Sequence, residues 1–208
     1  MSEKTFDSII FDMDGTLWDA VDSYCKIWDM TLQQCGIIRE PVTRQQLIGL
    51  MGKTLEHIIA VLVPEAAGNK LFFKLLDENE RKMMPVLGGK LYDGVTETLA
   101  QLAKSYKLFM VSNCSSHGLP NFLQFTGLTP YITATLSHGD TDRDKAYNIT
   151  EIGRRFDLHS PLYVGDTRSD YEACLKAGVD FAWASYGFGS VPEAPIRLNH
   201  IGDLLTSL

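Results

Sequence analysis

The chain of 208 residues lacks the features that are typical of membrane, secreted and nucleic-acid-binding proteins. No apolar run approaches the ~20 residues that a membrane-spanning helix needs, and residues 1–4 contain no apolar signal core. Basic residues number 19 against 26 acidic ones, and the net charge of −7 disfavours binding to a polyanion such as nucleic acid. These absences predict a cytoplasmic protein with no membrane and no nucleic-acid partner.

Cysteine is also scarce. No two cysteines form a Cys-x-x-Cys pair, so a zinc site has no support; the four are Cys25, Cys35, Cys114 and Cys174. A chain of this length can bury a core without bridges, which predicts free thiols. With 45% hydrophobic and 22% charged residues, the composition is that of a soluble globular protein with one core domain and a modest insertion.

Short apolar runs alternate with helical patterns over most of the chain, which predicts an α/β fold with a parallel sheet. Strands are expected at residues 8–11, 107–112, 132–136, 162–164 and 181–184. Helices are expected between most of them, at residues 95–105, 118–125, 145–156 and 171–177.

The alternation stops between residues 19 and 85, a stretch far too long for a single crossover connection. Helical patterns fill it, separated by glycine and proline, at residues 20–35, 43–51, 54–62 and 69–84. Thr43 is a suitable N-cap for the second of these helices. Residues 85–89 are expected to return the chain to the sheet, so the segment is predicted to be an inserted helical bundle.

The most informative motif is Asp12-Met13-Asp14-Gly15-Thr16, directly after the first apolar strand. On an extended backbone, residues i and i+2 face the same side, so Asp12 and Asp14 can converge on one reacting centre. The carboxyl end of a strand is where open α/β sheets place their ligands. The motif therefore predicts a catalytic site at the end of this strand.

Two other interpretations of the motif are available. Asp and Gly are ordinary turn residues, so the segment could be an acidic turn without chemistry. A calcium loop would need Gly at its sixth position and Glu at its twelfth. Counted from Asp12, Gly15 is fourth and Ser23 is twelfth, which excludes the calcium loop.

Three later segments have the same form, a strand end or helix start carrying a polar group. The apolar run at 107–112 ends in Ser112, followed by Asn113, and Lys145 begins a helical pattern. The apolar run at 162–164 leads to Asp166 and Asp170. A doubly wound sheet would bring these groups together at one edge.

Together these segments resemble the motifs of the haloacid dehalogenase superfamily of phosphotransferases. Residues 12–17 are similar to its first motif, Ser112 to its second, Lys145 to its third and residues 165–170 to its fourth. Each motif alone is weak, but the four in this order and spacing are specific, and the resemblance extends over nearly the whole chain. Residues 92–95 and Gly178 are most similar to the phosphoglycolate phosphatase-like branch.

The resemblance implies a doubly wound, parallel-sheet, Rossmann-like core with an inserted helical cap domain. The core would comprise residues 1–18 and 86–208, and the cap residues 19–85. It also implies catalytic roles: Asp12 as the nucleophile that forms an aspartyl-phosphate, and Asp14 as the general acid and then the base for water.

The resemblance also implies a Mg²⁺ cofactor, because a carboxylate nucleophile repels a phosphate dianion unless a hard cation intervenes. Its expected ligands are Asp12, the backbone carbonyl of Asp14 and Asp166. Asp170 is expected to act through water or to orient Lys145. A helix N-terminus with a favourable acid is a structural interpretation of residues 166–170 that is compatible with this role.

The phosphoryl oxygens are expected to contact Thr16, Ser112 and Asn113, with Lys145 as a fixed positive charge. The branch usually has Lys-Pro at the third motif, whereas this chain has Lys145-Ala146, and the nearby Arg143 is a rival for the role. Specificity is expected from the cap. Its Lys53, in a loop between two helical patterns, is a candidate contact to an anionic substrate.

The leading functional prediction is a Mg²⁺-dependent phosphatase acting on a small phosphorylated metabolite, with phosphoglycolate as a candidate substrate. A pyrophosphatase or nucleotidase would share the core residues, and a sugar phosphomutase is an alternative on the same scaffold. The resemblance disfavours a dehalogenase and a phosphonate hydrolase, because Asp14 is present. An acidic binding module without catalysis is the remaining alternative.

Overall fold

The computed structural model describes residues 6–208. The signal-core prediction for residues 1–4 lies outside the described residues. The strands are β1 Ser8–Phe11, β2 Trp18–Asp19, β3 Lys90–Leu91, β4 Lys107–Ser112, β5 Ala134–Ser137, β6 Pro161–Gly165, β7 Asp180–Ala184 and β8 Ile196–Leu198. The helices are α1 Val21–Gln34, α2 Arg44–Ile48, α3 Leu55–Leu62, α4 Lys70–Leu87, α5 Val95–Leu102, α6 Gly118–Thr126, α7 His138–Thr141, α8 Lys145–Phe156, α9 Arg168–Ala177 and α10 Leu204–Ser207.

Six parallel strands form the main sheet, in the order β5-β4-β1-β6-β7-β8. The first strand of the chain lies at the centre, and the chain winds outward from it in both directions. In a sheet of this kind the strand order reverses beside the central strand, which opens a crevice at the carboxyl ends. The predicted doubly wound α/β fold is confirmed.

Strand β1 is buried on both faces, as expected for a central parallel strand covered by helices. Ile9 and Phe11 pack into the apolar cluster on one side of the sheet, and Ile10 packs into the cluster on the other. Phe11 is in register with Met110 of β4 and Val164 of β6. The residues that follow these three strands therefore meet at one edge.

Helices α1 to α4 occupy the chain between β2 and β3, which pair with each other as a short antiparallel ribbon. The two connections into and out of the helical segment therefore lie side by side. Helix α2 begins where the sequence predicts, because Thr43 forms a capping box with Gln46. The assignment of residues 19–85 to a separate cap domain stays a prediction.

The sequence prediction of an end to the fourth helix at Met84 is wrong. Helix α4 continues through Pro85 to Leu87 and ends at Gly88, whose φ of 55° leaves the helical region. Helix α9 also begins earlier than predicted, at Arg168, because the Thr167 side chain caps it. The ribbon β2–β3 and the edge strand β8 are too short to give an apolar pattern.

No helix among residues 6–208 is both long enough and apolar enough to cross a membrane.

Candidate active site

The carboxyl end of β1 brings the predicted catalytic residues to the centre of the sheet edge. The Asp12 amide donates to the Val164 carbonyl at 2.9 Å, which continues the β1–β6 pairing by one residue. Asp12 is 3% exposed, whereas Asp14 is less buried, and both line a cleft between the sheet edge and helices α1 to α4. Strand β1 itself ends at Phe11, so the period-two relation between the two carboxylates stays a prediction.

A tight turn after Asp14 depends on Gly15. This glycine has a φ of 82°, and a Cβ at its position would overlap the Asp166 carboxylate. Its amide donates to the Trp18 carbonyl at 2.9 Å, which folds the chain back on itself. The Trp18 indole Nε1 then donates to Asp14 Oδ1 at 3.0 Å and holds this carboxyl in place.

The environment of Asp14 favours its protonated form. Burial, together with the neighbouring negative charge of Asp12, raises the pKa of Asp14 to about 8, although the hydrogen bond from Trp18 acts in the opposite direction. A carboxyl group with this pKa holds a proton at neutral pH. It can therefore donate that proton to a leaving group.

Lys145 lies at the start of α8 and is 4% exposed. Its Nζ lies 3.0 Å from Asp12 Oδ1 and 2.5 Å from Asp170 Oδ1. Burial lowers the pKa of Lys145, but the two carboxylates outweigh it and raise the pKa above its ordinary value. The ammonium is therefore a fixed positive charge in contact with the candidate nucleophile.

Arg143 does not occupy this position. Its guanidinium lies 4.9 Å above the ring of Tyr147, and its backbone carbonyl lies 2.9 Å from His138 Nδ1. The geometry therefore favours Lys145 over Arg143 in the third motif.

Asp170 uses both carboxylate oxygens within the protein. Oδ1 contacts Lys145, and Oδ2 accepts the Thr167 amide at 2.9 Å and the Thr167 hydroxyl at 2.6 Å. The residue therefore caps α9 and orients Lys145 at the same time. The structural interpretation of this segment as a capped helix N-terminus is observed, and its role in metal binding stays a prediction.

Three buried carboxyl groups lie close enough together that they could hold a metal ion. One oxygen each from Asp12, Asp166 and Asp170 lies within 4.8 Å of the others. Burial, with the charges of Asp170 and Asp12, raises the pKa of Asp166 well above its ordinary value. Full ionisation of these three carboxyl groups would leave more negative charge than the one ammonium offsets, and an all-oxygen donor set suits Mg²⁺. The residues present therefore fit the implied cofactor.

The predicted phosphate-binding residues lie at the same edge. Ser112 ends β4 and is buried beside the cleft, and Thr16 Oγ1 lies 3.4 Å from Asp166 Oδ1. The Asn113 side chain, however, donates Nδ2 to the Gly52 carbonyl at 2.9 Å. This amide connects the sheet edge to the helical segment, and phosphate contacts by these three residues stay predictions.

Lys53 lies next to that connection. Its Nζ donates to Ser169 Oγ at 2.8 Å, and the residue lines the mouth of the cleft. A lysine ammonium has three donor hydrogens, so this bond leaves two for an anionic ligand. The predicted contact of Lys53 with substrate stays a prediction.

Sequence reasoning missed several residues that line the cleft away from the sheet. They are Trp28, Glu80, His117 and Asn121. A signal existed for Glu80, which continues the buried stripe Phe72, Leu76 and Met84 of α4 at a spacing of four. A carboxylate at an apolar position of such a stripe indicates a buried charge. No comparable pattern identifies Asn121, because its burial depends on the packing of α6 against α4.

Comparisons with known proteins agree with this geometry. A protein-family model described as haloacid dehalogenase-like hydrolase matches residues 9–184. The chain is 26% identical over 228 residues to phosphoglycolate phosphatase of Vibrio vulnificus, covering 100% of this chain and 96% of that protein. It is 28% identical over 200 residues to phosphoglycolate phosphatase of Aliivibrio fischeri, covering 86% and 84%.

Solved structures show the same fold at lower identity. A predicted phosphoglycolate phosphatase from Haemophilus somnus superposes with a TM-score of 0.83 at 21% identity over 97% of each chain. A haloacid dehalogenase-like protein from Streptococcus pneumoniae superposes with a TM-score of 0.83 at 17% identity, again over 97% of each chain. The family-model match covers most of the chain, including the three strands that carry Asp12, Ser112 and Asp166. The protein therefore belongs to the haloacid dehalogenase-like hydrolase family.

Proposed function

We propose that the protein is a Mg²⁺-dependent phosphatase that hydrolyses a phosphomonoester through an aspartyl-phosphate on Asp12. The observation that carries this proposal is the buried contact between Lys145 and Asp12, beside two further carboxylates at the end of the central strand. Relatives named phosphoglycolate phosphatase support it.

The first step is attack by a carboxylate oxygen of Asp12 on phosphorus, with departure of the alkoxide on the opposite side. Phosphoryl transfer depends mainly on positioning and on cancelling negative charge. The Asp12 amide bond to Val164 and the contact with Lys145 hold the nucleophile in place. Bound Mg²⁺, held by Asp12, the Asp14 carbonyl and Asp166, would supply further positive charge for the phosphoryl oxygens.

Asp14 is the proton donor in the first step and the proton acceptor in the second. In its protonated form it gives a proton to the departing alkoxide, and the resulting carboxylate then accepts a proton from the water that attacks the aspartyl-phosphate. Trp18 donates to Asp14 Oδ1, and Tyr24 also hydrogen-bonds this carboxyl group; both bonds favour the carboxylate that forms when the proton leaves. The water attacks phosphorus, and Asp12 is released with inorganic phosphate.

The names of the relatives make 2-phosphoglycolate the first physiological candidate to assay. The relatives are 26–28% identical to this chain. The residues around the phosphoryl group and the residues around the leaving group support different parts of the proposal. The carboxylates and Lys145 support phosphoester hydrolysis in general. The identity of the leaving group depends on the far side of the cleft.

Release of inorganic phosphate from acetyl phosphate and p-nitrophenyl phosphate tests the proposal directly. We expect turnover with Mg²⁺, loss of turnover in excess chelator, and recovery when Mg²⁺ is restored. Asp166→Asn should raise the Mg²⁺ requirement sharply. Asp157→Asn is the matched control, because it removes the same charge from a side chain that is 92% exposed. Full activity in chelator, or equal metal requirements for the two variants, would contradict the metal assignment.

A further inference from the structure

The cleft that holds Asp12 extends to a second polar group that the chemistry above does not use. Four further residues line the same cleft: Glu80 of α4, Trp28 of α1, His117 just before α6, and Asn121 within α6. Tyr24 lines this cleft together with Asp14 and Glu80, whose charges, after burial, raise the pKa of its phenol well above the ordinary value. The far end is therefore continuous with the reacting centre.

Asn121 offers an unused hydrogen-bond donor at this end. The residue is 8% exposed, and its Nδ2 has no hydrogen-bond partner among residues 6–208. A buried amide without a partner is unfavourable, because the group has given up water and gained nothing in return. A ligand with an acceptor atom would satisfy it.

Glu80 offers an acceptor in the same cleft. Its side chain is 12% exposed, and Oε1 accepts from the Trp28 indole at 3.3 Å. Oε2 lies 3.9 Å from His117 Nε2, beyond hydrogen-bond distance, and that ring nitrogen is instead 3.1 Å from Ser115 Oγ. Glu80 Oε2 is therefore available to a donor on a ligand.

The walls between the two ends are mainly apolar. They are formed by Trp18, Leu47, Met51, Leu55, Ile58 and Met84. The cationic side chains that line the cleft are not available to neutralise an anion at the far end. Lys145 is paired with two carboxylates, Lys53 donates to Ser169 at the mouth, and burial lowers the pKa of His117.

These features discriminate between chemical groups. Above pH 7, where Glu80 is ionised, a carboxylate at the far end would meet this negative charge, and none of the cleft-lining cations among residues 6–208 is placed to offset it. An ammonium could donate to Glu80 but cannot accept from Asn121, whereas a hydroxyl or an amide can do both. Glycolate, with one methylene and a carboxylate, matches neither the apolar walls nor the polar end.

We propose that the substrate of this phosphatase has an apolar leaving group ending in an uncharged hydroxyl or amide, which Asn121 and Glu80 bind. This inference rests on the proposed phosphomonoester hydrolysis and adds the class of the leaving group. It makes the far end of the cleft the site of substrate discrimination.

The test compares three phosphates that differ only at the far end: benzyl phosphate, 4-(hydroxymethyl)benzyl phosphate and 4-carboxybenzyl phosphate. Their alkoxides are similarly basic, so differences in kcat/KM report recognition and not chemistry. We expect the hydroxymethyl compound to exceed benzyl phosphate, and benzyl phosphate to exceed both the carboxylate and 2-phosphoglycolate, by about tenfold or more at each step. Acetyl phosphate serves as the probe of basal hydrolysis.

Two variants test the residues. Asn121→Leu should collapse the ratio of kcat/KM between the hydroxymethyl and unsubstituted compounds, whereas Gln124→Leu, an exposed amide on the same helix, should not. Glu80→Gln should raise the use of the 4-carboxybenzyl compound relative to benzyl phosphate. A purely structural role for either residue would change all substrates together and leave the ratios unaltered.

The outcomes distinguish a failure of the proposed phosphatase function from a failure of the leaving-group inference. No phosphate release from any compound, acetyl phosphate included, would contradict the proposed function and with it this inference. Release with equal kcat/KM for the three benzyl compounds, or a preference for 2-phosphoglycolate, would overturn the inference and leave the phosphatase proposal standing. Unchanged ratios in Asn121→Leu would also overturn it.

Discussion

The ammonium of Lys145 lies 3.0 Å from Oδ1 of Asp12, and both side chains are almost completely buried. A buried ion pair of this kind is stabilised only when further hydrogen bonds and charges complete it, as Asp170 does here. The pair places a positive charge next to the atom that we propose to attack phosphorus. It connects the start of α8 to the end of β1.

The first prediction concerns the choice between Lys145 and Arg143. Lys145→Met should lower kcat by about 10²–10³-fold, because it removes a positive charge aimed at the reacting centre. Arg143→Met should stay within about threefold of the wild type, since its guanidinium stacks on Tyr147. Steady-state kinetics with p-nitrophenyl phosphate, and melting temperatures to check folding, decide the question. Equal losses in the two variants would contradict the assignment.

The second prediction concerns Asp14 as the proton donor. Asp14→Asn should lower the rate of phosphoenzyme formation by about 10²–10⁴-fold with an alkyl phosphate, whose alkoxide needs the proton. The loss should be much smaller with acetyl phosphate or p-nitrophenyl phosphate, which release weak bases.

The same variant should lose the base that activates water, so the phosphoenzyme should accumulate. Rapid-quench kinetics with p-nitrophenyl phosphate should then show a burst of p-nitrophenol followed by slow turnover. A uniform loss across leaving groups without a burst would indicate that Asp14 only supports the structure of the turn around Gly15.

The third prediction concerns stability and pH. Burial raises the pKa of Glu80 from 4.5 to about 7, so between these values the folded protein binds more protons than the unfolded chain. Stability therefore falls as pH rises through this window, and the whole cost is present above pH 7. Glu80→Gln, which resembles the protonated form, should be more stable than the wild type by up to about 3 kcal/mol at pH 8.

This difference should shrink toward zero below pH 4.5, because Glu80 is then largely protonated in both states. Urea unfolding at several pH values measures it. Glu40→Gln, an exposed glutamate in a connection, should show no such pH-dependent gain. A gain in Glu80→Gln that is the same at pH 4.5 and pH 8 would show that the buried charge is not its cause.

The residues at the sheet edge could be predicted because strand geometry repeats every two residues. Asp12 and Asp14 follow the central strand and both line the cleft, and the apolar runs before Ser112 and Asp166 indicate where their strands end. The sheet then brings together groups that are far apart in the chain. Local pattern and topology together were sufficient for this part of the site.

The far end of the cleft could not be predicted in the same way. Asn121 and Glu80 line one cleft because α6 packs against α4, a contact between segments that no local periodicity specifies. The sequence shows that Glu80 interrupts the apolar stripe of α4, but it does not show that Asn121 lines the same cleft. The sequence also left the choice between Lys145 and Arg143 open, because Arg143 lies just before helix α8 and Lys145 begins it. The structure separates them, since only Lys145 contacts Asp12.

The helix boundaries differ in the same way: one set by a local bond could be predicted, and one that involves tertiary packing could not. Thr43 was recognised as a cap because its hydroxyl bonds a backbone amide three residues away, a purely local interaction. The continuation of α4 through Pro85 was not, because a proline ordinarily breaks a helix. Gly88 lies against Phe125 of α6, where a Cβ on this residue would overlap the ring, so tertiary packing contributes to the end of this helix.

The most direct test of the central claim is mass spectrometry of the protein quenched in acid during turnover of p-nitrophenyl phosphate with Mg²⁺. We predict a phosphoryl group on the peptide that contains Asp12, localised to Asp12 by fragmentation. The adduct should be absent in Asp12→Asn, with turnover lowered by several orders of magnitude. Phosphoryl transfer to another residue, or hydrolysis that persists in freshly purified Asp12→Asn, would contradict the account.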